Sequence, residues 1–401
     1  PNTFKFSKNP LAQATEGSSG FGDAAVIIPW TLYQFYGDKS LLERQYESMK
    51  KWVEYERNEA KKTHWRRIIN PFIWINKKKR ERQQYIWDTG FHWGDWMKPG
   101  SNYVLVLLKS FILRRPTVAT SFFAYSTMLL SKIAGILGKS EDEKLYSDLF
   151  KKIQEAYIND LSYWNLTRLK PDKQDAYVRA IAFGILTGES ITKAVKRLVE
   201  LIKNNHNHLN TGFMSTPFIL GILANNGYLD LAWELLNQKT RPSWLYMIES
   251  GATTIWENWD VVNEEGKAGF GSMNHYPLGS VGHWLYSFVA GIGYDEKEPG
   301  FKHVIISPRP GGGVTHAKGS YKSIYGMIFS ELKITGDKRI FEIEIPCNTY
   351  ATVRIPCEVS SKITESGVAI EDVKDIKINE RTDAEIILEV NSGKYRFECF
   401  K

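Results

Sequence analysis

The stretch that decides the fold is DEKEPG, residues 295–300, because the hydrophobic periodicity of the chain changes there. Before this stretch, apolar residues recur every three or four positions, which is typical of amphipathic helices. After it, polar and apolar residues alternate over short segments separated by Gly, Pro, Asn and Asp, which is typical of strands and turns. The sequence therefore predicts a helical domain over residues 1–298 and a β-sandwich domain over residues 299–401.

The predicted elements are short and numerous in both parts. Nine helices are predicted, over residues 24–36, 41–60, 119–137, 141–157, 177–186, 191–204, 216–225, 229–237 and 281–291. Six strands are predicted, over residues 302–307, 317–323, 326–335, 339–345, 351–355 and 385–390. Successive helical hairpins indicate an (α/α) toroid whose loops line a cleft. Roughly 100 residues of short strands at 8–12-residue steps indicate a two-sheet sandwich.

Composition excludes several classes of protein. The 401 residues are 43% hydrophobic and 24% charged, which is ordinary for a globular chain and unlike a disordered or collagenous one. The three cysteines, Cys347, Cys357 and Cys399, are too few for a disulfide framework and match no metal spacing, so buried thiols are expected. The longest apolar run, residues 103–113, is shorter than the roughly 18 residues of a membrane-spanning helix. No membrane partner is therefore expected.

The positive charge of the chain comes from one insert, residues 60–84, which contains nine Lys or Arg and a single acid, Glu81. Without this insert the net charge falls from +7 to −1. Trp65, Phe72 and Trp74 offer rings for stacking, so a polyanion-binding surface is one interpretation. A solvated loop is the other interpretation and is favoured, because runs of like charge are usually exposed to solvent. Nucleic acid is accordingly not an expected partner.

Carboxylates and aromatic rings are concentrated in four segments that fall between or beside predicted helices. These segments are SGFGDAA at 19–25, DTGFHWGDWMKP at 88–99, MIESGATTIWENWD at 247–260 and GSMNHYPLGSVGHWLY at 271–286. Pyranose faces stack on aromatic rings, carboxylates accept hydrogen bonds from sugar hydroxyls, and glycosidic cleavage uses two carboxyl groups. The pattern therefore favours a carbohydrate site. The alternative is that these aromatic residues form core and that the carboxylates cap helices.

Other chemistries find little support in the sequence. His206 and His208 are the nearest approach to a metal motif, and they lack a neighbouring acid pair. No HExxH, CxxC or EF-hand pattern is present, and the glycine-rich PRPGGG at 308–313 lacks the Lys-Ser/Thr of a phosphate loop. We therefore expect no metal and no cofactor.

Several segments, in the same order and at similar spacing, resemble the signature segments of bacterial α-L-rhamnosidases, glycoside hydrolase family 78. They are residues 20–38, 88–99, 251–260 and 272–292, with NHLNTGFMSTPFIL at 207–220 and NNGYLDLAWELL at 225–236 between them. HVIISPRPGGGVTHAKGSY at 303–321 resembles the start of that family's C-terminal β-sandwich. The resemblance implies an (α/α)6 barrel and an inverting glycoside hydrolase. Its substrates would be rhamnosides or rhamnose-containing polysaccharides with a terminal α-linked L-rhamnose.

The resemblance also implies roles for particular residues. The family's general base falls in the segment TIWENWD and corresponds to Glu257, with Glu249 of the same segment as the second choice. The family's rhamnose-contacting histidine corresponds to His275. Its stacking tryptophan corresponds to Trp96, or to the nearby Trp93.

Three further residues of the similar segments are substrate-binding candidates. Asp95 is expected to accept a hydrogen bond from a sugar hydroxyl, and Asp23 belongs to the GDAA segment. Phe21 stands where the family usually has Trp, so it offers an apolar face without an indole N–H. Sugar stacking on Phe21 is therefore expected to be weaker than in the family.

The family's general acid lies in a motif that precedes the GDAA segment, and this motif is not found in residues 1–20, where Glu16 is the only acid. The chain also begins without Met, so we expect the acid and the first barrel helices in an upstream part of the same polypeptide. The 401 residues alone are then expected to have little or no activity. Robust hydrolysis by them would point to Asp23, Asp88 or Asp95 as the acid.

Two alternatives stay open from the sequence. The first is an inverting (α/α)6 glycosidase for another sugar, such as a glucoside or a uronate, for which the basic insert would suit an acidic polysaccharide. The second is an inactive carbohydrate-binding or structural module, which Phe21 and the missing acid motif favour and the intact segment around Glu257 disfavours. Low cysteine use fits either the cytoplasm or an exported bacterial setting, so the compartment is not determined.

Overall fold

The computed structural model describes residues 17–62, 71–102, 105, 106, 110, 115–163 and 168–400, and at positions 72 and 74 only the backbone. The chain divides into two compact units. The first unit comprises Pro1–Trp30 and Ser40–Gly279, and the second comprises Thr31–Lys39 and Ser280–Lys401. The domain boundary at 298/299 stays a prediction.

The described helices precede the strands along the chain. They are α1 (Ala24–Tyr36), α2 (Lys39–Lys61), α3 (Pro71–Ile75), α4 (Lys77–Arg82), α5 (Pro116–Ile136), α6 (Ser140–Asp160), α7 (Gln174–Ala182), α8 (Glu189–Asn204), α9 (Thr216–Asn225), α10 (Leu229–Leu236), α11 (Trp244–Glu249) and α12 (Val281–Trp284). Every helix predicted from periodicity is present. The last one differs, because α12 is a single turn that continues as a wider π turn over Leu285–Val289.

Consecutive helices of the first unit pack in pairs, α5 with α6, α7 with α8 and α9 with α10, and each pair is joined by a short loop. The α5–α6 loop turns at Gly138, whose φ of +71° is readily available only to glycine. The Lys139 N–H then bonds the Ala134 carbonyl at 2.8 Å and closes the end of α5. These pairs are the helical hairpins that the sequence predicts.

The basic insert is described in part. Residues 63–70, with Trp65, lie outside the described residues, as do Glu16 and most of the apolar run 103–113. In the described part, α4 carries exposed cations, and Arg82 at its end donates to the Asp160 carboxylate at 3.0 and 3.2 Å. This pair fastens the end of α4 to α6. Whether the insert is a solvated loop or a polyanion-binding surface stays a prediction.

Eleven strands follow the helices in the described part of the chain. They are β1 (Ile292–Tyr294), β2 (His303–Ile306), β3 (His316–Ser323), β4 (Gly326–Thr335), β5 (Lys338–Ile345), β6 (Tyr350–Pro356), β7 (Lys362–Glu365), β8 (Val368–Ala369), β9 (Ile376–Arg381), β10 (Glu385–Val390) and β11 (Gly393–Phe400). One sheet has the order β1-β2-β6-β10-β9, and the other has the order β3-β4-β5-β11-β7-β8. Neighbouring strands are antiparallel except β2 and β6.

The strands bury alternate residues in one apolar core. On β10, Ile386, Leu388 and Val390 are buried, and their neighbours are only partly so. Burying one face of each sheet in this way produces the two-sheet β domain that the sequence predicts. Cys357 and Cys399 lie in this core as free thiols, which confirms the expectation for these two residues. It is wrong for Cys347, which is exposed.

None of the helices described above combines the length and the apolar character that crossing a membrane requires.

Candidate active site

The loop that carries Trp96 is fastened to the turn before α9. The Asp95 carboxylate accepts hydrogen bonds from the backbone N–H groups of Gly212 and Met214, both at 2.9 Å. The Trp96 carbonyl accepts one from the Phe213 N–H at 3.0 Å. A Cβ at position 212 would lie 2.0 Å from the Trp96 carbonyl oxygen, so the close approach requires glycine. Trp96 and Phe213 are thereby held in a fixed register.

A buried ionic cluster supports this junction. Arg179 of α7 is 0% exposed, and its guanidinium lies 2.8 Å from the Asp175 carboxylate and 3.6 Å from that of Asp95. It also donates to the Ser215 hydroxyl at 2.7 Å, while Lys98 contacts Asp175. Because every charge in the cluster faces an opposite charge, the cluster keeps Asp95 in place as a carboxylate anchor.

The two carboxyl groups of this cluster differ in their surroundings. Burial raises the pKa of Asp175, but the charges of Lys98 and Arg179 outweigh it and hold the pKa below its usual value. At Asp95 burial is the larger effect, and it raises the pKa even though Arg179 opposes it. Asp175 is therefore the firmly ionised partner of Arg179.

His92 joins the Trp96 loop to the loop that carries Phe21. The Ser19 N–H donates to His92 Nδ1 at 3.1 Å, and His92 Nε2 lies 2.9 Å from the Thr89 carbonyl oxygen. Nδ1 must then be the acceptor and Nε2 the donor, which defines one neutral tautomer. Because His92 is buried, the two loops are held together from within.

The aromatic residues expected to bind sugar lie in one row across these loops. The rings of Phe21 and Trp93 meet edge to face with centroids 6.5 Å apart, and those of Trp93 and Trp96 do so at 4.9 Å. All three side chains are partly exposed. The structure therefore brings together three aromatic candidates from two distant segments on a partly exposed surface.

Glu257 lies where two loop segments pair. Its N–H donates to the Ser272 carbonyl at 2.8 Å, and the Ser272 N–H donates to Glu257 Oε2 at 2.7 Å. The His275 N–H donates to the Ile255 carbonyl at 2.8 Å, so His275 is held beside the same segment. The carboxylate is partly exposed and has one oxygen fixed by a backbone donor. A carboxylate of this kind can accept a further hydrogen bond from a water molecule or a sugar hydroxyl.

Phe213 connects the Trp96 loop to the segments that carry His275 and Glu257. Its ring stacks on His275 at 5.7 Å between centroids, and its N–H is the group bonded to Trp96. A continuous path of contacts therefore runs from Trp96 through Phe213 and His275 to the segment that holds Glu257.

The tryptophans that flank Glu257 form core. Trp256 and Trp259 are buried, and Trp259 Nε1 donates to the Thr211 carbonyl at 3.1 Å. Asn258 is buried too and donates to the Phe270 carbonyl at 2.8 Å. These two tryptophans therefore belong to the packed core, as the alternative interpretation of the sequence predicts. Their burial fixes the backbone that carries Glu257.

The expected site residues fall into two groups by exposure. Phe21, Trp93, Trp96, His275 and Glu257 are partly exposed and connected by the contacts above. Their roles in substrate binding and catalysis stay predictions.

The two aspartates among the candidates are placed differently. Asp95 and Asp23 are buried, and their oxygens accept hydrogen bonds from within the protein. The expectation that Asp95 accepts a sugar hydroxyl is not met in this geometry, because the Asp95 side chain has no exposed surface. Glu249, the second choice for the base, is half exposed at the end of α11 and pairs with Lys239 at 2.9 Å.

Reasoning from the sequence missed Glu56 and Arg179, both of which are fully buried. A signal existed for Glu56, because the buried positions Met49, Val53 and Ala60 recur along α2 at helical spacing and place residue 56 on the same face. No comparable signal marks Arg179, because Asp175 shares its helix but Asp95 and Ser215 lie on other segments. Among the described residues, no three His, Cys, Asp or Glu side chains come together so that they could hold a metal ion.

A partly exposed carboxylate that is connected through Phe213 and His275 to a row of aromatic rings suits the cleavage of glycosidic bonds. Together with the helical hairpins and the β domain, it places the chain among the glycoside hydrolases built from helical hairpins.

The chain belongs to the bacterial α-L-rhamnosidase family. Residues 5–289 match the bacterial alpha-L-rhamnosidase 6 hairpin glycosidase domain, and residues 291–369 match the bacterial alpha-L-rhamnosidase C-terminal domain. The family and the fold class inferred from sequence, an (α/α)6 hairpin domain followed by a β domain, are thereby confirmed.

Relatives of known name support this membership. The α-L-rhamnosidase of Formosa agariphila is 32% identical over 389 residues, which cover 95% of this chain and 39% of the relative. That of Streptomyces avermitilis is 32% identical over 386 residues, or 95% of this chain and 33% of the relative. The chain thus spans between a third and two fifths of the length of these two proteins.

Solved structures of α-L-rhamnosidases are also similar to this chain. The crystal structure of Streptomyces avermitilis α-L-rhamnosidase complexed with L-rhamnose superposes with a TM-score of 0.80 at 31% identity, over 96% of this chain and 33% of that one. The α-L-rhamnosidase from Dictyoglumus thermophilum gives a TM-score of 0.78 at 30% identity, over 94% and 39%.

Proposed function

We propose that the polypeptide containing this chain hydrolyses terminal α-linked L-rhamnosides with inversion of configuration, and that Glu257 is the general base. The observation that carries the proposal is the placement of the Glu257 carboxylate, which is fixed by the Ser272 N–H and joined through His275 and Phe213 to the row of aromatic rings. That the Streptomyces avermitilis relative was crystallised with L-rhamnose supports the choice of sugar.

In this mechanism Glu257 takes a proton from a water molecule as the water attacks the anomeric carbon. A carboxylic acid on the opposite face of the sugar protonates the departing oxygen. His275 would contact the sugar, and the rings of Phe21, Trp93 and Trp96 would pack on its apolar face. The buried position of Asp95 suits an anchor for the Trp96 loop rather than a hydroxyl acceptor.

The family's general acid has no counterpart that we can assign in this chain. Glu16 is the only acid in residues 1–20, and it lacks the surrounding motif. We therefore infer that the 401-residue chain alone has little activity and that the acid comes from another part of the polypeptide. Robust hydrolysis by the chain alone would contradict this inference and point to Asp23, Asp88 or Asp95 as the acid, which single Asn substitutions would tell apart.

The test of the function is a panel of nitrophenyl glycosides, followed by proton NMR of the first product. We expect the complete polypeptide to cleave the α-L-rhamnoside and to release β-L-rhamnose first, because the attacking water enters opposite the leaving group. α-L-rhamnose as the first product would contradict inversion. Activity on a glucoside or a uronide alone would favour a glycosidase for another sugar, and sugar binding without turnover would favour an inactive binding module.

The substitution Phe21→Trp tests the sugar-stacking row. Because Phe21 is partly exposed and meets Trp93 at its edge, the larger indole can extend over a bound sugar ring and add aromatic contact worth about 0.5–1.5 kcal/mol. L-rhamnose should then bind more tightly, by up to about tenfold, as measured by titration calorimetry. Unchanged binding would remove Phe21 from the sugar site.

A further inference from the structure

We propose that Glu56 is a positioning residue of the sugar site. Its carboxyl group keeps a proton and donates it in a hydrogen bond to Asp23, and this shared proton fixes the turn that carries Phe21. The proposal rests on the proposed function, because it assigns the support for one wall of that site.

Asp23 and Glu56 form a pair of buried carboxyl groups. Both residues are 0% exposed, one on the loop before α1 and the other on the buried face of α2. Asp23 accepts hydrogen bonds from the Gly20 N–H at 2.7 Å and from the Ser126 hydroxyl at 2.5 Å. No donor from the described residues reaches either oxygen of Glu56. Asp23, which accepts hydrogen bonds from donors, is therefore suited to be the carboxylate. Glu56, which receives none from the described part of the chain, is suited to hold the proton.

The electrostatics of the pair agree with this assignment. Burial raises the pKa of Glu56 well above its ordinary value, and the negative charge of Asp23 raises it further. Asp23 is the one charge among the described residues that acts on Glu56. Burial also raises the pKa of Asp23, but the bonds from Ser126 and Gly20 oppose the rise. Two adjacent buried carboxyl groups without a cation cannot both ionise at neutral pH, so one proton stays between them.

The pair controls the position of Phe21 through a short turn. The bond from the Gly20 N–H to Asp23 closes the turn that contains Phe21. Gly22 of the same turn lies against Trp52, because a Cβ there would come within 1.9 Å of the indole ring. Trp52 and Glu56 are four residues apart on α2 and so support the turn from one helix face. If the shared proton is lost, repulsion between the carboxylates pushes Asp23, and Phe21 with it, away from α2.

The experiment compares Glu56→Gln, Glu56→Leu and Glu43→Gln in the complete polypeptide. Gln keeps a donor towards Asp23 without a titrating proton, whereas Leu removes the donor. Glu43→Gln is the matched control, because Glu43 is an exposed residue of the same helix. Three quantities are measured: the infrared difference spectrum against the wild type, hydrogen exchange of the Gly20 amide, and the affinity for L-rhamnose between about pH 5 and pH 9.

We expect the spectrum of wild type minus Glu56→Gln to contain the carbonyl band of a protonated carboxylic acid, which the Glu43→Gln difference lacks. Protection of the Gly20 amide and rhamnose affinity should persist in Glu56→Gln. Glu56→Leu should lose the protection and bind rhamnose about tenfold more weakly. Wild-type affinity should fall at alkaline pH, while that of Glu56→Gln stays level.

Absence of the protonated band, or a Glu56→Gln variant that loses the Gly20 protection, would overturn the proposal. Unchanged protection in Glu56→Leu would overturn it as well. If Glu56→Leu does not fold, the proposal is tested by the protonated-acid band of the wild type and by hydrogen exchange of the Gly20 amide in Glu56→Gln. If no variant binds rhamnose but the band and the exchange pattern are as expected, the proposed function fails and the role of Glu56 in fixing the turn stands.

Discussion

Glu257→Gln in the complete polypeptide is expected to lower kcat on an aryl α-L-rhamnoside by about 10²–10⁴-fold, the range that a general base contributes. The amide has the same shape, and its carbonyl oxygen can still accept the Ser272 N–H, so the paired loop segments should keep their geometry. It cannot take a proton from water. The KM and the affinity for L-rhamnose should therefore change little, and the loss should lie in kcat.

Glu249→Gln is the matched control for this experiment. Glu249 lies at the end of α11, is half exposed and pairs with Lys239, so its loss should leave kcat within about twofold. Steady-state kinetics on both variants show which of the two carboxylates acts as the base. Near-normal turnover by Glu257→Gln would eliminate Glu257 as the base, and a large loss in Glu249→Gln would transfer the role to the second choice.

The parts of the fold that were predictable are those with one buried face. β4 and β10 have the bounds predicted from sequence, because each buries apolar residues on one face of the strand, Ile328 and Leu332 being four apart on β4 and Ile386, Leu388 and Val390 alternating on β10. β9 was missed because its apolar pattern ends after Ile376 and Ile378, and the remaining residues of the strand are polar and largely exposed. β7 and β8 were missed for another reason, since four and two residues are too short to establish a period.

The site residues that could be predicted lie in short segments where the informative residues are close together in the sequence. Glu257 and the Trp96 loop stand out because acids and aromatic rings are adjacent in the chain. The burial of Asp95 was not predictable, because the N–H groups it accepts belong to residues more than a hundred positions away. Asp23 presents the same difficulty, since its partner Ser126 lies 103 residues further along. A carboxylate in a polar loop is indistinguishable from a buried anchor until the distant donor is placed.

These anchors link stability to the geometry of the site. Asp95 fixes the turn that carries Phe213, and Phe213 stacks on His275 beside the segment of Glu257. We therefore expect a change in the ionic cluster to lower the free energy of unfolding and, through Phe213 and His275, to weaken sugar binding.

Arg179→Met is expected to lower the free energy of unfolding by about 3–5 kcal/mol, the usual cost of removing one partner from a buried ion pair. Met fills much of the same volume, but it leaves the Asp95 and Asp175 carboxylates buried without the guanidinium between them, and Lys98 and the more distant Arg115 only partly replace its charge. Arg168→Met is the control, because Arg168 is a largely exposed arginine of the same unit that pairs with Asp172 at 3.7 Å, and its loss should cost less than about 1 kcal/mol. Denaturant unfolding measures both variants.

The cost of Arg179→Met should also depend on pH, in a direction that the cluster determines. Arg179 lowers the pKa of both buried aspartates, so its removal lets burial raise them in the folded state. The folded variant then holds protons that the unfolded chain has already released, and its free energy of unfolding falls as pH rises above the ordinary aspartate range. The difference from the wild type should therefore be larger at about pH 8 than at about pH 5. An equal loss at both pH values would mean that Arg179 stabilises this region by packing and not by its charge.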